Sequence, residues 1–281
     1  MRLLSLIGEQ PIPNLLVARA LEHDHQILVY SNFTQKVANN LHALLPNTTI
    51  ELIKSPYDIE NAMKEMDGWV TEDTIFNITG GTKPMALAAY ELARQYRRPV
   101  VYLQSEGKVS KLYSYDTQSS QPVLVKSDTL GSLVTIREYL SAFGLKWTAA
   151  PPANPQEVAL LPWLKAHTDE CISNLSFGAF EIDFVVRRGN QVAIMEAKMT
   201  KKVTRGGIDQ LNTAGGQQYL GTYTKKVLLV TGDLAPELQQ LATERRIKVV
   251  KMDGEINPST NQFEIPQDSW LLLENALDDI L

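Results

Sequence analysis

Two carboxylates and a lysine, Asp183, Glu196 and Lys198, lie on two neighbouring apolar runs of the sequence. The runs are joined by a glycine–asparagine pair, which is typical of a hairpin turn. Asp183 and Glu196 are 13 positions apart, so antiparallel pairing of the runs brings their side chains together at one end of a sheet. Because side chains alternate along a strand, Glu196 and Lys198 share one face and Ala197 points away.

This arrangement predicts a metal site. Burying two carboxylates is costly without a counter-charge, and a hard divalent cation such as Mg²⁺ or Mn²⁺ prefers oxygen ligands. The predicted ligands are Asp183, Glu196 and the backbone carbonyl of Ala197. A cation held there polarises a phosphate group and lowers the pKa of a bound water, while Lys198 orients that water and stabilises the developing negative charge. The alternative is a structural strand pair with surface charges, because a Glu-x-Lys sequence on a strand is common.

Polar residues that follow the site are candidates for supporting roles. A basic stretch suited to phosphate contacts contains Lys201, Lys202 and Arg205, and the alternative for it is a solvated loop. Gln210 and Gln217 lie on a helix predicted at 208–219. They are either polar auxiliaries of the site or ordinary residues of the helix surface.

A second pattern lies at a strand-to-helix turn in the first half of the chain. An apolar run at 74–78 and a predicted helix at 84–97 flank the sequence Thr79, Gly80, Gly81, Thr82 and Lys83. Glycines allow close backbone approach, and a helix N-terminus offers free N–H groups and the positive end of a dipole. With two hydroxyls and one cation added, the turn predicts phosphate or nucleotide binding. Its spacing is that of neither a P-loop nor a dinucleotide motif, and a plain structural turn is the alternative.

The elements that position both patterns can be predicted from hydrophobic periodicity. Strand-like runs alternate with helical patterns over about the first 115 residues, which predicts a mostly parallel, doubly wound α/β sheet. A Ser/Gln-rich stretch at 116–128 predicts an exit from that domain. A helical pattern at 133–143, the hairpin and further strand–helix alternation predict a second α/β domain. We therefore expect domains at 1–125 and 126–281.

Composition limits the classes of function. The 281 residues carry a formal charge of −5 and a single cysteine, Cys171. That charge argues against sequence-independent coating of nucleic acid, although a local basic groove remains compatible with it. One cysteine supplies neither an intrachain disulfide nor a cysteine-based zinc site. With no apolar run near the length of a membrane span, we expect a cytoplasmic protein without a membrane partner.

The hairpin resembles the PD-(D/E)xK nuclease superfamily, whose signature is an acid followed by Glu-x-Lys on the adjoining strand. The resemblance covers about residues 133–250 and implies a restriction-endonuclease-like α/β fold and a metal-dependent nuclease. The family's Pro-Asp dipeptide is Ile182-Asp183 here, which leaves the metal ligand intact. In this family a preceding helix often supplies another carboxylate, and Glu157 is the candidate for it.

The strand-to-helix turn resembles that of CARF domains, the CRISPR-associated Rossmann fold, in the branch fused to a PD-(D/E)xK nuclease. The resemblance covers about residues 1–115. It implies a homodimer that binds a cyclic oligoadenylate, namely cyclic tetra-adenylate, across its two-fold axis. Besides the residues of the turn, it implies ligand-binding positions in the loops after the first and second strands, namely Gly8, Glu9, Gln10, Ser31, Asn32 and Thr34.

Together these features predict an endonuclease of type III CRISPR antiviral defence. Cyclic oligoadenylate is expected to activate it, with Mn²⁺ or Mg²⁺ as cofactor and single-stranded RNA, DNA or both as substrate. One alternative is a nucleotide-binding regulator without catalysis, against which the intact Asp183, Glu196 and Lys198 argue. A second is a ring nuclease that degrades the messenger at the turn from Thr79 to Lys83, where no dedicated base is evident. A third is a restriction-type enzyme with a DNA-reading N-terminal domain, which the acidic charge and the lack of an evident helix-turn-helix disfavour.

Overall fold

The computed structural model describes residues 1–106, 108–119, 121–198 and 205–281. These residues form two compact units, Met1–Gly144 and Leu145–Leu281. Lys201 and Lys202 of the predicted basic stretch lie outside the described residues. Within the described parts of the chain, no helix is long and apolar enough to cross a membrane.

The N-terminal unit is built around one mostly parallel sheet. Its elements in chain order are β1 (Arg2–Leu6), α1 (Pro11–Ala20), β2 (His25–Tyr30), α2 (Gln35–Leu44), β3 (Thr48–Leu52), α3 (Ile59–Asp67), β4 (Thr74–Asn77), α4 (Lys83–Tyr96), β5 (Val100–Glu106), β6 (Val109–Asp116), β7 (Val123–Thr129) and α5 (Ile136–Ala142). The strand order is β3-β2-β1-β4-β5-β6-β7. The pairs from β3 to β5 are parallel, and β6 and β7 are antiparallel additions. The predicted Rossmann-like α/β fold is confirmed.

The order of the strands reverses next to β1. The chain proceeds outward from β1 through β2 to β3, and then returns to place β4 on the other side of β1. The loops that leave the carboxyl ends of β1 and β4 therefore diverge at the same point. In open α/β sheets a crevice for ligands forms at such a switch point, so the fold brings the two predicted ligand loops to one place.

Helix α4 begins at the predicted turn because its first residues suit a helix start. The Thr82 side chain caps the helix by accepting from the Met85 N–H at 3.2 Å, and Pro84 occupies the first turn. Met85 and Leu92 then face the core. The helix ends at Arg97, whose backbone is left-handed with φ +56°.

The division between the units falls later in the chain than the predicted boundary at 125/126. The second half of the Ser/Gln-rich stretch belongs to β7, which pairs with β6, so the chain does not leave the unit there. Helix α5 buries Ile136, Tyr139 and Leu140 and contacts α1 and α2. Glu138 on this helix pairs with Arg19 at 2.6 Å. Because α5 packs against α1 and α2, the compact division lies after Gly144.

The C-terminal unit contains a mixed sheet with helices around it. Its elements are β8 (Trp147–Ala149), α6 (Pro155–His167), β9 (Glu170–Phe177), β10 (Phe180–Arg188), β11 (Gln191–Lys198), α7 (Gly206–Ala214), β12 (Lys225–Val230), α8 (Pro236–Glu244), β13 (Ile247–Lys251), β14 (Glu255–Ile256), β15 (Phe263–Glu264) and α9 (Gln267–Ile280). The strand order is β13-β12-β11-β10-β9-β8. Strands β11 to β13 are parallel, and β8 to β11 are antiparallel. The predicted second α/β unit is confirmed, and β8, β9, β14, β15 and α9 are elements that the sequence did not indicate.

Helix α7 lies against the face of the sheet that carries Glu196 and Lys198. A Cβ atom on Gly207 would stand 3.2 Å from the Lys198 Cγ atom and 3.1 Å from the Leu228 Cδ1 atom. A glycine therefore lets the start of the helix approach the strand closely. The helix is shorter than the predicted 208–219 and ends at Ala214, with Gly215 as its C-cap. The opposite face of the sheet packs Phe184, Met195 and other apolar residues into the core.

Candidate active site and ligand crevice

The hairpin of β10 and β11 brings the predicted catalytic residues together. Its last registered pair is Phe184 with Met195, so one further step of the same register puts Asp183 opposite Glu196. There the Asp183 Oδ2 atom accepts a hydrogen bond from the Ala197 N–H at 2.7 Å. The carboxylate thus takes a backbone donor that a continued ladder would have used.

Glu196 is buried to 1% exposure, whereas the Lys198 side chain is 39% exposed. The Lys198 Nζ atom donates to the Glu196 Oε1 atom. The two side chains therefore lie on the same face, as predicted, and form a direct ion pair. Its carboxylate end is enclosed and its ammonium end reaches solvent, which suits a group that must meet a substrate.

The second carboxylate oxygen of Glu196 shows whether the site suits a metal ion. Glu196 Oε2 is buried and has no hydrogen-bond partner among the described residues. A buried carboxylate oxygen without a donor is costly, and a divalent cation would satisfy it. The described residues hold no group of three or more His, Cys, Asp or Glu side chains in metal-binding geometry. The set that fits is therefore two carboxylates and the Ala197 carbonyl, completed by water or phosphate oxygens, as Mg²⁺ commonly accepts.

Burial and like charge act together on the acidic groups. Burial, and then the charge of Asp183, raises the pKa of Glu196 to about 7, although Lys198 opposes the shift. The pKa of Asp183 is raised mainly by burial, against the Ala197 N–H and Lys198. For Lys198, burial works to lower the pKa, but the bond to Glu196 and the surrounding carboxylates outweigh it, so its pKa is raised. These groups behave as one electrostatic unit that a cation would stabilise in its charged form.

Glu157 reaches the same unit from α6. Its backbone N–H donates to the side chain of the helix cap Asn154 at 2.9 Å. Its carboxylate accepts from the side chains of Asn154 and Asn174. Burial, and then the charge of Asp183, raises the pKa of Glu157, and Glu157 in turn acts on Glu196. Neither asparagine was predicted to belong to the site.

The predicted auxiliaries have mostly structural bonds. Arg205, the residue before α7, pairs with Asp209 of that helix at 3.1 Å. The Gln210 side chain donates to the backbone carbonyl of Glu181 and so ties α7 to β10 two residues before Asp183. Gln217 lies beyond the end of α7.

In the N-terminal unit, both threonine hydroxyls of the predicted ligand turn bond within the fold. The Thr79 hydroxyl donates to the Asn77 side chain at 2.6 Å and accepts from the Leu103 N–H at 2.9 Å. The Thr82 hydroxyl donates to the Pro56 carbonyl and caps α4. The hydroxyl protons are already donated, so the threonines shape the turn, and the ligand donors that remain there are the Lys83 ammonium and backbone N–H groups.

Gly80 joins the turn to the loop after β1. A Cβ atom on Gly80 would stand 2.3 Å from the Leu6 carbonyl oxygen and 2.7 Å from the Gly8 N atom. Gly81 adopts φ +76°, a left-handed conformation that favours glycine. Both glycines are therefore required for the two loops of the crevice to touch.

The remaining predicted ligand positions divide by exposure. Glu9, Asn32 and Lys83 are exposed, and Gln10 is half-buried. Ser31 and Thr34 are buried and bonded to each other, with the Ser31 N–H donating to the Thr34 hydroxyl at 3.0 Å. They shape the loop after β2.

A buried amide pair beneath the crevice was not anticipated. The Asn77 Nδ2 atom donates to the Asn14 Oδ1 atom at 3.0 Å, and the Asn14 Nδ2 atom donates to the Leu6 carbonyl at 3.1 Å. The pair fixes the ends of β1 and β4 relative to each other. Asn77 is adjacent to the glycine–threonine turn in sequence and Asn14 follows the loop after the first strand, but no local pattern pairs the two side chains.

Solved structures share the fold of the whole chain. Can2 from Sulfobacillus thermosulfidooxidans, in complex with cyclic tetra-adenylate, is similar with a TM-score of 0.74 at 15% identity, over 99% of this chain and 98% of that one. Protein VC1899 from Vibrio cholerae is similar with a TM-score of 0.72 at 13% identity, over the same shares. A type III CRISPR defence DNA nuclease activated by cyclic oligoadenylate reaches a TM-score of 0.60 at 13% identity, over 89% of this chain and 42% of that one.

A sequence search of curated proteins finds no match. A family model described as the Card1 CARF domain matches residues 3–139, which is nearly all of the N-terminal compact unit. That unit of the chain is therefore similar to the Card1 CARF domain.

Proposed function

We propose that this protein is a metal-dependent endonuclease of type III CRISPR defence that cyclic tetra-adenylate activates and that cleaves single-stranded RNA, DNA or both. The main support is that one chain contains both a unit matched by the Card1 CARF domain model and a hairpin where Asp183, Glu196 and Lys198 meet. Further support comes from the shared fold of Can2, solved with cyclic tetra-adenylate, and of a DNA nuclease activated by cyclic oligoadenylate.

The N-terminal unit is the sensor in this proposal. Its crevice lies where the loops after β1 and β4 touch through Gly80. Lys83, exposed at the start of α4, supplies a positive charge, and the helix N-terminus adds the dipole and free N–H groups for a phosphate. Two copies of the unit related by a two-fold axis would present the same loops to the two halves of a ring ligand.

The C-terminal unit is the effector. Asp183, Glu196 and the Ala197 carbonyl would hold Mg²⁺ or Mn²⁺. The cation would satisfy the buried Glu196 Oε2 atom, which has no hydrogen-bond partner among the described residues. Such a cation polarises a phosphate and makes a water more acidic. The Lys198 ammonium, held by Glu196 on one side and open to solvent on the other, orients the attacking water and stabilises charge on the phosphate. Glu157 adds a third negative group near Asp183.

A cleavage assay tests the proposal. Labelled single-stranded RNA and DNA would be incubated with the full chain and Mn²⁺, with and without cyclic tetra-adenylate, next to the Glu196→Gln variant. We expect cleavage by the wild type with the messenger and none by the variant. Absence of cleavage under every condition would refute the nuclease and leave a binding-only regulator. Equal cleavage with and without cyclic tetra-adenylate would support the nuclease activity and refute activation by the messenger.

A further inference from the structure

Asn174 has a left-handed backbone conformation, which is unusual inside a β-strand. It lies inside β9, yet its φ is +45°. Among the described residues, the other non-glycine residues with positive φ lie in turns or at helix ends, as Asn47 and Asn261 do. Asparagine tolerates the left-handed region better than most residues, but a regular strand requires an extended backbone at every position. Strained residues of this kind concentrate at functional sites.

The irregularity falls opposite Asp183. Strands β9 and β10 pair Leu175 with Ile182 and Ser173 with Phe184, and the pair between them, Asn174 with Asp183, is missing from the register. On its other side, Asp183 accepts from Ala197 at the point where the pairing with β11 stops. The left-handed turn of Asn174 thus interrupts the ladder at the one residue of β10 that carries the predicted metal ligand.

The side chain of Asn174 links three segments of the C-terminal unit. Its Nδ2 atom donates to the Pro151 carbonyl at 3.0 Å, and its backbone carbonyl accepts from the Ala150 N–H at 3.3 Å. The same amide bonds to the carboxylate of Glu157. Asn154, the other amide on that carboxylate, also has to cap α6. Replacing Asn174 therefore removes one donor to the Glu157 carboxylate without uncapping α6, and the Asn154 bond remains.

We propose that Asn174 is a positioning residue, which holds the Glu157 carboxylate beside Asp183 and Glu196 and thereby sets the affinity of the site for a divalent cation. This inference rests on the proposed function, because it assumes that the site binds Mn²⁺ or Mg²⁺. Partners that orient metal-site carboxylates without touching the metal commonly change metal affinity by about 10- to 100-fold when they are replaced.

Three variants distinguish the effect of the Asn174 side-chain amide from the effect of its backbone conformation. Asn174→Gly keeps the left-handed backbone without strain and removes the amide. Asn174→Asp keeps the shape, but the residue cannot donate and places a further negative charge beside Glu157. Asn261→Gly is the matched control, because it removes a left-handed asparagine from the segment between β14 and β15. The measurements are Mn²⁺ binding to the full chain by calorimetry without nucleic acid, the Tm of the metal-free protein, and the Mn²⁺ dependence of cleavage.

We expect Asn174→Gly to bind Mn²⁺ about tenfold or more weakly with an unchanged Tm, and Asn174→Asp to restore none of the loss. At saturating Mn²⁺, kcat should return toward the wild-type value, while the Mn²⁺ concentration for half activity stays raised. Asn261→Gly should match the wild type throughout.

Wild-type Mn²⁺ affinity in Asn174→Gly would overturn the inference and leave the nuclease standing. Restoration by Asn174→Asp, or an equal loss in Asn261→Gly, would overturn it as well. A wild type that binds no Mn²⁺ and cleaves nothing would overturn the proposed function, and the inference with it.

Discussion

Asp183 accepts a hydrogen bond from the Ala197 N–H at 2.7 Å, at the step where the ladder between β10 and β11 stops. A side chain thereby replaces a main-chain acceptor, and the N–H stays satisfied while the strands separate. One Asp183 oxygen is fixed by this bond, and the Ala197 amide it holds belongs to the same residue whose carbonyl is a proposed metal ligand. The relationship explains how a regular hairpin ends in an open acidic site.

Replacing Lys198 by methionine should abolish most cleavage. Glu196 would lose its counter-charge and the phosphate its positively charged neighbour, so we expect a fall in kcat of about 100-fold or more. Calorimetry should show unchanged binding of cyclic tetra-adenylate, because the sensor unit is intact. Lys64→Met, which breaks an exposed pair with Glu60, is the control. A Lys198→Met protein with wild-type kcat would exclude Lys198 from the chemistry.

The stability of the metal-free protein should fall as pH rises from about 4.5 to about 7 because of Glu196. Its pKa is about 7 in the folded chain, against an ordinary value of 4.5 for a glutamate. Between those two values the native state binds more protons than the unfolded state, so unfolding becomes easier as pH increases. The raised pKa of Asp183 acts in the same direction. Below both pKa values this penalty is absent.

Chemical denaturation of the wild type and of Glu196→Gln measures this effect. At pH 8 without metal we expect the variant to be more stable by about 1–3 kcal/mol, and at pH 4.5 the difference should shrink toward zero. Mn²⁺ should stabilise the wild type more than the variant. A difference in the free energy of unfolding that does not change with pH would mean that burial does not raise the pKa of Glu196.

Lys83→Ala should weaken the binding of cyclic tetra-adenylate. A charge-assisted bond to a phosphate contributes about 1–3 kcal/mol, and Lys83 is exposed at the start of α4. Lys64→Ala on α3 serves as the matched control. Equal affinity of Lys83→Ala and the wild type in a calorimetric titration would place the ligand elsewhere.

Gly80→Ala should destabilise the N-terminal unit. The new methyl group would meet the Leu6 carbonyl oxygen at 2.3 Å, and overpacking of this kind costs about 1–3 kcal/mol. Gly68→Ala is the control, because no atom lies within 4 Å of its Cβ position and its φ is −66°. Denaturant midpoints measure both variants, and a Gly80→Ala protein as stable as the control would contradict the close approach of the two loops.

The sequence was sufficient for the hairpin site because the register of a hairpin follows from its turn. Counting back from the turn pairs Asp183 with Glu196, and alternation places Lys198 beside Glu196. The alternation of strands and helices in the first unit followed from equally local patterns. These parts of the structure depend on residues close together in the chain.

Long-range contacts account for what the sequence missed. The Thr79 and Thr82 hydroxyls were predicted as ligand donors, but Leu103 and Pro56, which lie on other loops and strands, bond to them. Asn174 meets Glu157 only after α6 and β9 have packed. Helix α5 was assigned to the second domain because no local pattern reveals which sheet a short amphipathic helix covers.

The most direct test of the account is the cleavage rate of labelled single-stranded substrate in Mn²⁺ as cyclic tetra-adenylate is titrated. For the wild type we predict a rate that rises with the messenger and saturates. Lys83→Ala should reach the same plateau at a higher messenger concentration, and Glu196→Gln should stay at the baseline. Cleavage by Glu196→Gln, or a wild-type rate independent of the messenger, would contradict a nuclease controlled by its CARF domain.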